Sequence, residues 1–498
     1  MRIDPERSTF AETYNAGAPQ VVWTEVSADL ETTVSAMLKL SGGGPNSFIL
    51  ESVEGGETRG RYSFIGIEPD LIWRCRGDKA EVSRQAPHAE TSYEVEHQGS
   101  LDSLRALIAE SQIDSLPAGL PPMASSLVGY MGYDMVRLME RLPNEPEDTL
   151  GIPDGIFVRP TIMAVFDTVG DTITIVTPVR PAAGIDADTA YAEASARLAA
   201  AVDRLNGPLP ARPPYPPSAP APSEIESNFT KPDFLAAVEA AKEYIRAGDA
   251  FQIVPSQRFV VPFERAPFDL YRSLRRLNPS PFLFFLDYGE FSIVGSSPEI
   301  LVRARDDVVT IRPLAGTRRR GADAAADAAL AESLQNDPKE LAEHLMLLDL
   351  ARNDVGRVSE IGSVEVTAQF DIERYSHVMH MSSTVIGQIS SEYDEIGALI
   401  AGFPAGTVSG APKVRAMEII DELEPTKRGV YAGCIGYFAS NGSMDTCIAL
   451  RTGVVKDGKL YVQAGVGVVA DSDPEAEYQE SHDKARALVR AAEAARSL

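Results

Sequence analysis

Apolar and polar positions along this chain follow two periods, and the changes between them mark its elements. Residues 47–54 ("SFILESVE"), 61–75 ("RYSFIGIEPDLIWRC") and 161–179 ("TIMAVFDTVGDTITIVTPV") read as strands, because their apolar positions are short runs or alternate. Residues 29–40 ("DLETTVSAMLKL"), 101–110 ("LDSLRALIAE") and roughly 185–206 read as helices. The pattern then breaks, since eight of the fifteen residues from 208 to 222 are proline. Such a segment is extended and semi-rigid, without packed structure.

Beyond it the helical period returns. Phe234, Val238, Ala241 and Ile245 form one stripe, Thr230 stands at the cap position and Gly248 at the stop. Strand-like runs follow ("AFQIVPSQRFVV", "PFLFFLDYG", "FSIVGSS", "VVTIRPLAG"), then helices, then strands again ("CIGYFAS", "DTCIALRTGVVK", "KLYVQAGVGVVA"). Strands and helices in blocks predict an α+β fold, not a regular βαβ alternation. The predicted organisation is an N-terminal α+β domain over 1–206, a Pro-rich linker over 207–226 and a second domain over 227–498.

Charge narrows the partners. The 498 residues carry a net charge of −26. This argues against nucleic acid and anionic membrane. A small anionic substrate would need a cation or a local Arg/Lys cluster to invert the field. No apolar run approaches the roughly 18 residues of a membrane span, and "MRIDPERSTF" lacks the core of a secretion signal. Cys75, Cys434 and Cys447 are scattered without metal-ligand spacing, as expected of a cytoplasmic protein.

Two glycine runs look like phosphate loops and fail on inspection. Gly465-Val-Gly467-Val-Val-Ala470 has the G-x-G-x-x-A spacing, but a dinucleotide loop starts its helix inside the run. Here Asp473-Pro474 is the better helix start, and Asp471 and Asp473 would oppose a pyrophosphate. In "GFPAGTVSGAPK" only two residues separate Gly410 from Lys413, and valine follows the lysine, so it is no P-loop.

Carboxylates are the stronger signal. Glu340 and Glu343 lie one turn apart at the start of one predicted helix, and Glu477 and Glu480 likewise on another, with Lys484 a turn further on. An ordinary role exists for each: Glu340 completes a capping box with Asp337, and Glu480 pairs with Lys484. "HLMLLDLA" (344–351), however, is apolar nearly all round and predicts burial on most sides. Carboxylates at the mouth of a buried helix need partners. Two such helices facing one another would offer oxygen ligands to Mg²⁺, which takes few carboxylates and keeps places for substrate oxygens.

The motifs "GDAFQIVPSQRF", "SSPEILV", "RPLAGTRRRG", "EHLMLLDLARNDVGRV", "SHVMHM", "FPAGTVSGAPKVRAMEII", "YAGCIGYF" and "AGVGVVADSDPEAEYQES" give the chain a strong resemblance to the anthranilate synthase component I family of chorismate-utilising enzymes. It covers essentially the whole chain and is densest from about Phe229 onward. It implies large antiparallel or mixed β-sheets in a sandwich-like core with helices outside, and conversion of chorismate and ammonia to anthranilate and pyruvate.

By that resemblance Glu343 and Glu480 are direct Mg²⁺ ligands, and Glu340 and Glu477 hold metal-bound water. Gln252, Ala315, Gly316, Thr317, Thr407, Tyr431, Arg451, Gly465 and Gly467 line the substrate. Glu299 matches the general acid for the departing ring hydroxyl, His380 an active-site histidine, and Lys484 a further catalytic charge. His377 reads as a core or supporting histidine. Relatives that add water carry a lysine where this chain has Gln252. The component I group of 4-amino-4-deoxychorismate synthase, the alternative enzyme reading, carries one at Ala315. A decayed scaffold binding an amino acid is the non-enzyme alternative, and it predicts losses among these residues.

None of the three cysteines sits in a G-x-C-x-G turn, so ammonia is expected from a separate glutaminase subunit. Finally, Leu50, Glu51, Ser52, Asn278, Pro281, Phe282, Leu283 and Tyr437 match segments that hold feedback-inhibiting L-tryptophan in the family. Leu50, Phe282 and Leu283 are expected to form the indole slot, and Ser52 to meet the amino-acid head.

Overall fold

A computed structural model describes all residues except 55–57, 85–91, 115, 118, 212–224 and 376–377; most of the proline segment and His377 therefore lie outside the described residues. The fold is α+β. Its sheet is antiparallel, and two long strands, Thr58–Arg76 and Gly155–Asp167, pair along most of their length.

One run of strands leads from these through Ser47–Glu54, Phe282–Asp287, Phe291–Ser297, Thr452–Lys456 and Lys459–Gly465 to Ser256–Pro262. A second leaves Gly155–Asp167 through Ser126–Met131, Cys434–Ala439, Met444–Ile448, Ile300–Arg305 and Val308–Ile311 to Val378–Gln388. Strands from before and after the proline segment are thus direct neighbours, twice over.

Three large apolar clusters follow from this layout. One contains Phe48, Tyr130, Ile156, Phe284, Ile293 and Ile435, side chains from both runs of strands, and fills the space between them. The other two lie on the outer faces. Helices Ala187–Asn206, Pro267–Leu277 and Pro474–Ala495 cover one, and Ser100–Ser111, Pro338–Gly356 and Glu395–Gly402 cover the other. The expected sandwich-like core with helices outside is therefore present. Among the described residues no helix is long and apolar enough to cross a membrane.

Local signals behave as their chemistry requires. Thr230 accepts from the N–H of Asp233 to open the helix Lys231–Ala247, and Gly248 ends it with φ +90°, a conformation that favours glycine. Phe234, Val238 and Ala241 of its stripe are buried. The strand Lys459–Gly465 stops inside the glycine run, and the helix begins only at Pro474, so Gly465–Ala470 is not a dinucleotide loop.

Candidate active site

Two helix starts and the ends of several strands converge at one mouth. The helix Pro338–Gly356 is capped by Asp337, whose carboxylate accepts from the N–H groups of Lys339 and Glu340. That is half of the expected capping box. Glu340 does not reach back, because it pairs with Arg318 at 2.8 Å. One turn on, the Gln252 amide donates to Glu343 at 3.2 Å. The helix Pro474–Ala495 repeats the design: Asp473 caps the N–H of Ala476 and Pro474 takes the first position. Glu480 pairs with Lys484 at 2.8 Å, and Lys484 also donates to the Gly465 carbonyl at 3.0 Å.

Lys339 and Lys484 each act on both Glu343 and Glu477, so the two helix starts face one another. Burial, with Glu340 nearby, pushes the Glu343 carboxyl above its ordinary range; burial, with Glu480 nearby, does the same to Glu477. Among the described residues no three acidic, histidine or cysteine side chains form a metal cluster, and Arg318 and Lys484 pair with Glu340 and Glu480. The set consists of carboxylate oxygens, Glu343 beside Glu340 and Glu477 beside Glu480, with Glu343 and Glu477 partly desolvated and Glu480 exposed, and such hard oxygen donors suit a divalent cation. The segment 344–351 is buried on one side only. His344, Leu347, Leu348 and Ala351 are inside, but Leu345 is 53% exposed, because the helix packs on the sheet with a single face.

The opposite wall carries Glu299, in the turn between the strands Phe291–Ser297 and Ile300–Arg305. Its Oε1 accepts from the Leu314 N–H at 3.3 Å and from the Thr407 hydroxyl at 3.2 Å. Burial outweighs these donors and pushes its pKa up to about 8, so the carboxyl is largely protonated at neutral pH. With both donors on Oε1, the proton belongs on Oε2. A small, half-open cavity of about 20 Å³ is lined by Glu299, Thr407, Leu347, Leu350 and, at its far end, Asp354.

His380 lies on Val378–Gln388, beside Leu314–Arg319, where Gly316 takes φ +63° in a bulge that Ala315 and Thr317 flank. Its Nδ1 meets the Gly316 carbonyl at 3.0 Å and the Thr317 hydroxyl at 3.1 Å, while its buried Nε2 has no partner among the described residues. Burial lowers its pKa to about 4. A neutral ring with its proton on Nδ1 leaves Nε2 as a bare acceptor. The Oε1 of Gln252 is a second buried acceptor without a partner among the described residues. Its orientation follows from chemistry, since the amide nitrogen must face the Glu343 carboxylate.

Arg451 provides positive charge. It has φ +47°, burial lowers its pKa, and no carboxylate among the described residues pairs with it. Tyr431 is buried and hydrogen-bonds the backbone of Gly465, its phenol pushed by burial to about 12. The two glycines are there for close approach. A Cβ on Gly465 would sit 2.6 Å from the Tyr431 hydroxyl, and one on Gly467 2.7 Å from the Gln252 amide nitrogen. Gly410 likewise lets the backbone of Gln252 close on it, and Lys413 pairs with Asp354 at 2.8 Å.

The second expected site is only partly assembled. Ser52 pairs with Phe282, and Leu50 with Phe284, so Leu50 and Phe282 pack into the inter-sheet cluster that also holds Tyr437. Leu283 and Glu51 point to the other face, because strand side chains alternate. The expectation that Leu283 shares a slot with Leu50 and Phe282 is therefore overturned. Glu51 is not available to a ligand either: Thr33, Tyr271 and Arg275 all donate to it. Asn278 lies 3.4 Å from Ser296 at the end of the helix Pro267–Leu277, and Pro281 is half-buried just before Phe282.

Sequence reasoning missed Arg318, which holds Glu340, and the buried pair of Arg428 and Glu424. Arg428 donates to the carbonyls of Val408 at 2.7 Å and Val254 at 2.6 Å, tying the segments that carry Thr407 and Gln252. Arg318 lies within the motif "RPLAGTRRRG"; Glu424 and Arg428 carry an i, i+4 charge spacing as their one sequence signal, while the carbonyls of Val408 and Val254 that Arg428 also holds lie 20 and 174 residues away.

Residues 64–490 match the family model for chorismate binding enzymes. The chain is 56% identical over 485 residues to anthranilate synthase component 1 of Cereibacter sphaeroides, covering 97% of each. It is 48% identical to that of Pseudomonas putida, covering 94% of each. The crystal structure of anthranilate synthase component I from Streptococcus pneumoniae superposes with a TM-score of 0.76 at 36% identity, covering 93% of this chain and 99% of that one. With that coverage, and with carboxylates, Arg451 and the glycine cradle at one mouth, the chain belongs to the chorismate-binding enzyme family, among its anthranilate synthase component 1 members.

Proposed function

We propose that this protein converts chorismate and ammonia to anthranilate and pyruvate. The observation that carries the reading is Glu299, a buried carboxyl kept protonated to about pH 8 with one oxygen left for the proton. Arg451, Tyr431 and the backbone near Gly465 and Gly467 bind the substrate carboxylates, where a guanidinium offers a two-pronged fit. Glu299 gives its proton to the departing 4-hydroxyl, which leaves as water while ammonia attacks carbon 2. Gln252 Oε1, an acceptor without a partner among the described residues, receives an N–H of the attacking ammonia. Loss of the carbon 2 proton, with His380 Nε2 as an available acceptor, breaks the ring bond to the enolpyruvyl oxygen; the enolpyruvate that leaves takes up a proton on its methylene carbon to become pyruvate.

Glu343 and Glu480 would hold Mg²⁺, with Glu340 and Glu477 supporting it through water. The ion supplies charge neutralisation for the ring carboxylate of the substrate in a protein whose net charge is −26. Ammonia reaches this chain from a glutaminase subunit. Tryptophan inhibits by binding beside Leu50, Ser52 and Phe282 and favouring an arrangement poor at chorismate binding.

The test is the isolated chain with chorismate, Mg²⁺ and ammonium at alkaline pH, with anthranilate followed by its fluorescence. Turnover with ammonium and none with glutamine is expected. Formation of 4-amino-4-deoxychorismate, or no consumption of chorismate, would overturn the reading. Glu343→Gln should lose turnover at limiting Mg²⁺ and recover part of it as Mg²⁺ is raised.

A further inference from the structure

Behind Glu299 and His380 stands a charged group that the reaction as written does not use. Glu373, on the strand Glu365–Arg374, lies across from His380 in the strand pairing. Arg312 Nε donates to its Oε1 at 2.8 Å, and a second guanidinium nitrogen contacts its Oε2. The Tyr375 hydroxyl donates to Oε2 at 2.7 Å, and Ser382 also bonds the carboxylate. Tyr375 in turn packs edge-on against His380, ring centroids 5.6 Å apart.

The arrangement comes from one stretch of chain. Arg312 reaches Glu373, Leu314 two residues on donates its N–H to Glu299, and Gly316 two further on accepts from His380. Arg312 is therefore tied to the acid through two residues of extended backbone, and its positive charge acts on Glu299. Alone, that charge would favour a carboxylate. Glu373 opposes it with an equal negative charge.

We propose that Glu373 is a positioning residue: by pairing with Arg312 it cancels the cation that acts on the acid and so keeps Glu299 able to donate a proton. The proposal rests on the reading of Glu299 as the acid. Among the described residues the charged groups that act on Glu299 are Arg312 and Glu373, with Tyr375 beside them; Asp354, paired with Lys413, closes the far end of the cavity. Arg451 lies near Tyr375 and His380. Three donors hold Glu373 itself ionised against its burial, and Arg312 is first among them.

The measurement is kcat/KM for chorismate against pH, with free ammonia held constant at every pH. Glu373→Gln leaves Arg312 uncompensated and should move the alkaline limb about one pH unit to lower pH. Arg312→Gln should move it the opposite way, and the double variant should return it near the wild-type position. Tyr375→Phe removes a hydrogen bond but no charge, and should leave the limb in place.

A limb unmoved by Glu373→Gln, or an acid-ward shift in Arg312→Gln, overturns the proposal. A double variant that fails to restore the limb does the same, as does a shift in Tyr375→Phe equal to that of Glu373→Gln. If Glu373→Gln does not fold, the direction seen in Arg312→Gln and in the double variant still decides. Failure of the underlying reading has a separate mark: Glu299→Gln would remain active with an unchanged limb.

Discussion

Glu51 and Glu299 are both almost fully buried, at 6% and 5% exposure, yet the protein keeps one ionised and the other protonated. For both, desolvation is the largest influence and favours the neutral acid. Around Glu51 it is outweighed: Arg275 Nη2 donates at 2.9 Å, and Thr33 and Tyr271 add further donors, so its pKa falls. Around Glu299 the direct donors are neutral, both go to one oxygen, and the pKa rises to about 8. Burial alone therefore does not mark a reactive carboxyl. A buried carboxyl with neutral partners and a free oxygen does, whereas one gripped by a guanidinium is a structural tie.

The largest expected effect tests this division directly. Glu299→Gln keeps the shape and removes the donated proton, so turnover should fall by roughly 10²- to 10⁴-fold. Chorismate KM should change little, and Glu51→Gln should leave turnover per folded molecule near the wild-type value. Anthranilate fluorescence under saturating chorismate reads both. Near-normal turnover in Glu299→Gln would erase the distinction.

Stability should invert that order. Glu51→Gln leaves the Arg275 guanidinium, 16% exposed, without its counter-charge. Breaking one side of such a buried pair costs about 3–5 kcal/mol. Denaturant midpoints should show that loss in Glu51→Gln and little or none in Glu299→Gln. Equal losses in the two would mean that Glu299 is a structural tie as well.

The two residues should also respond to pH with opposite signs. Glu51 has a folded pKa below its ordinary value, so its contribution is present above the unfolded value and is lost as acid titrates the folded pair. Glu299 has a folded pKa of about 8 against an ordinary 4.5. Its contribution is complete below 4.5 and is lost as pH rises toward 8, at no more than about 1.4 kcal/mol per pH unit. Relative to Glu299→Gln, the wild type should lose melting temperature between pH 5 and 8. Its advantage over Glu51→Gln should shrink only in acid. Calorimetry at three pH values checks both slopes.

How much of this was legible beforehand depends on distance along the chain. Caps are local, so Thr230, Asp337 and Asp473 could be read from neighbours three residues away, and their helices begin there. The glycine run at 465–470 was legible by the same logic, since Asp473-Pro474 fixed the helix start. The paired carboxylates stand on the turns the sequence predicts, and Lys484 pairs with Glu480 as its i, i+4 spacing implies, but the partners of Glu340 and Glu343 have no local signal. Arg318 reaches Glu340 from 22 residues away, and Gln252 reaches Glu343 from 91. Helix periodicity says nothing about either. The burial of Leu345 was misjudged because an apolar run shows hydrophobic composition without showing how many neighbours surround the helix.

The tryptophan segments are legible as strands but not by face, and they carry the smallest expected effect. Leu50, Ser52 and Phe282 share one face of the paired strands, while Glu51 and Leu283 share the other, as period-two alternation requires. Resemblance matched residues one by one and did not sort them by face. Ser52 lies tight against Gly60, where an added Cβ would meet the serine hydroxyl at 2.5 Å, so a larger side chain at 52 must turn toward Phe282. Ser52→Phe should therefore fill the space beside Phe282 and weaken tryptophan inhibition by about tenfold or more. Uninhibited turnover should stay within about two-fold, because the catalytic mouth is built from other strands. Leu283→Met, a volume-conserving change on the helix-covered face costing less than about 1.5 kcal/mol, should leave the inhibition constant unchanged. Inhibition curves for the two variants under subsaturating chorismate compare the faces directly. If Leu283→Met shifts the curve and Ser52→Phe does not, tryptophan binds on the Glu51 face, and Glu51 would have to exchange Arg275 for the ligand's ammonium group.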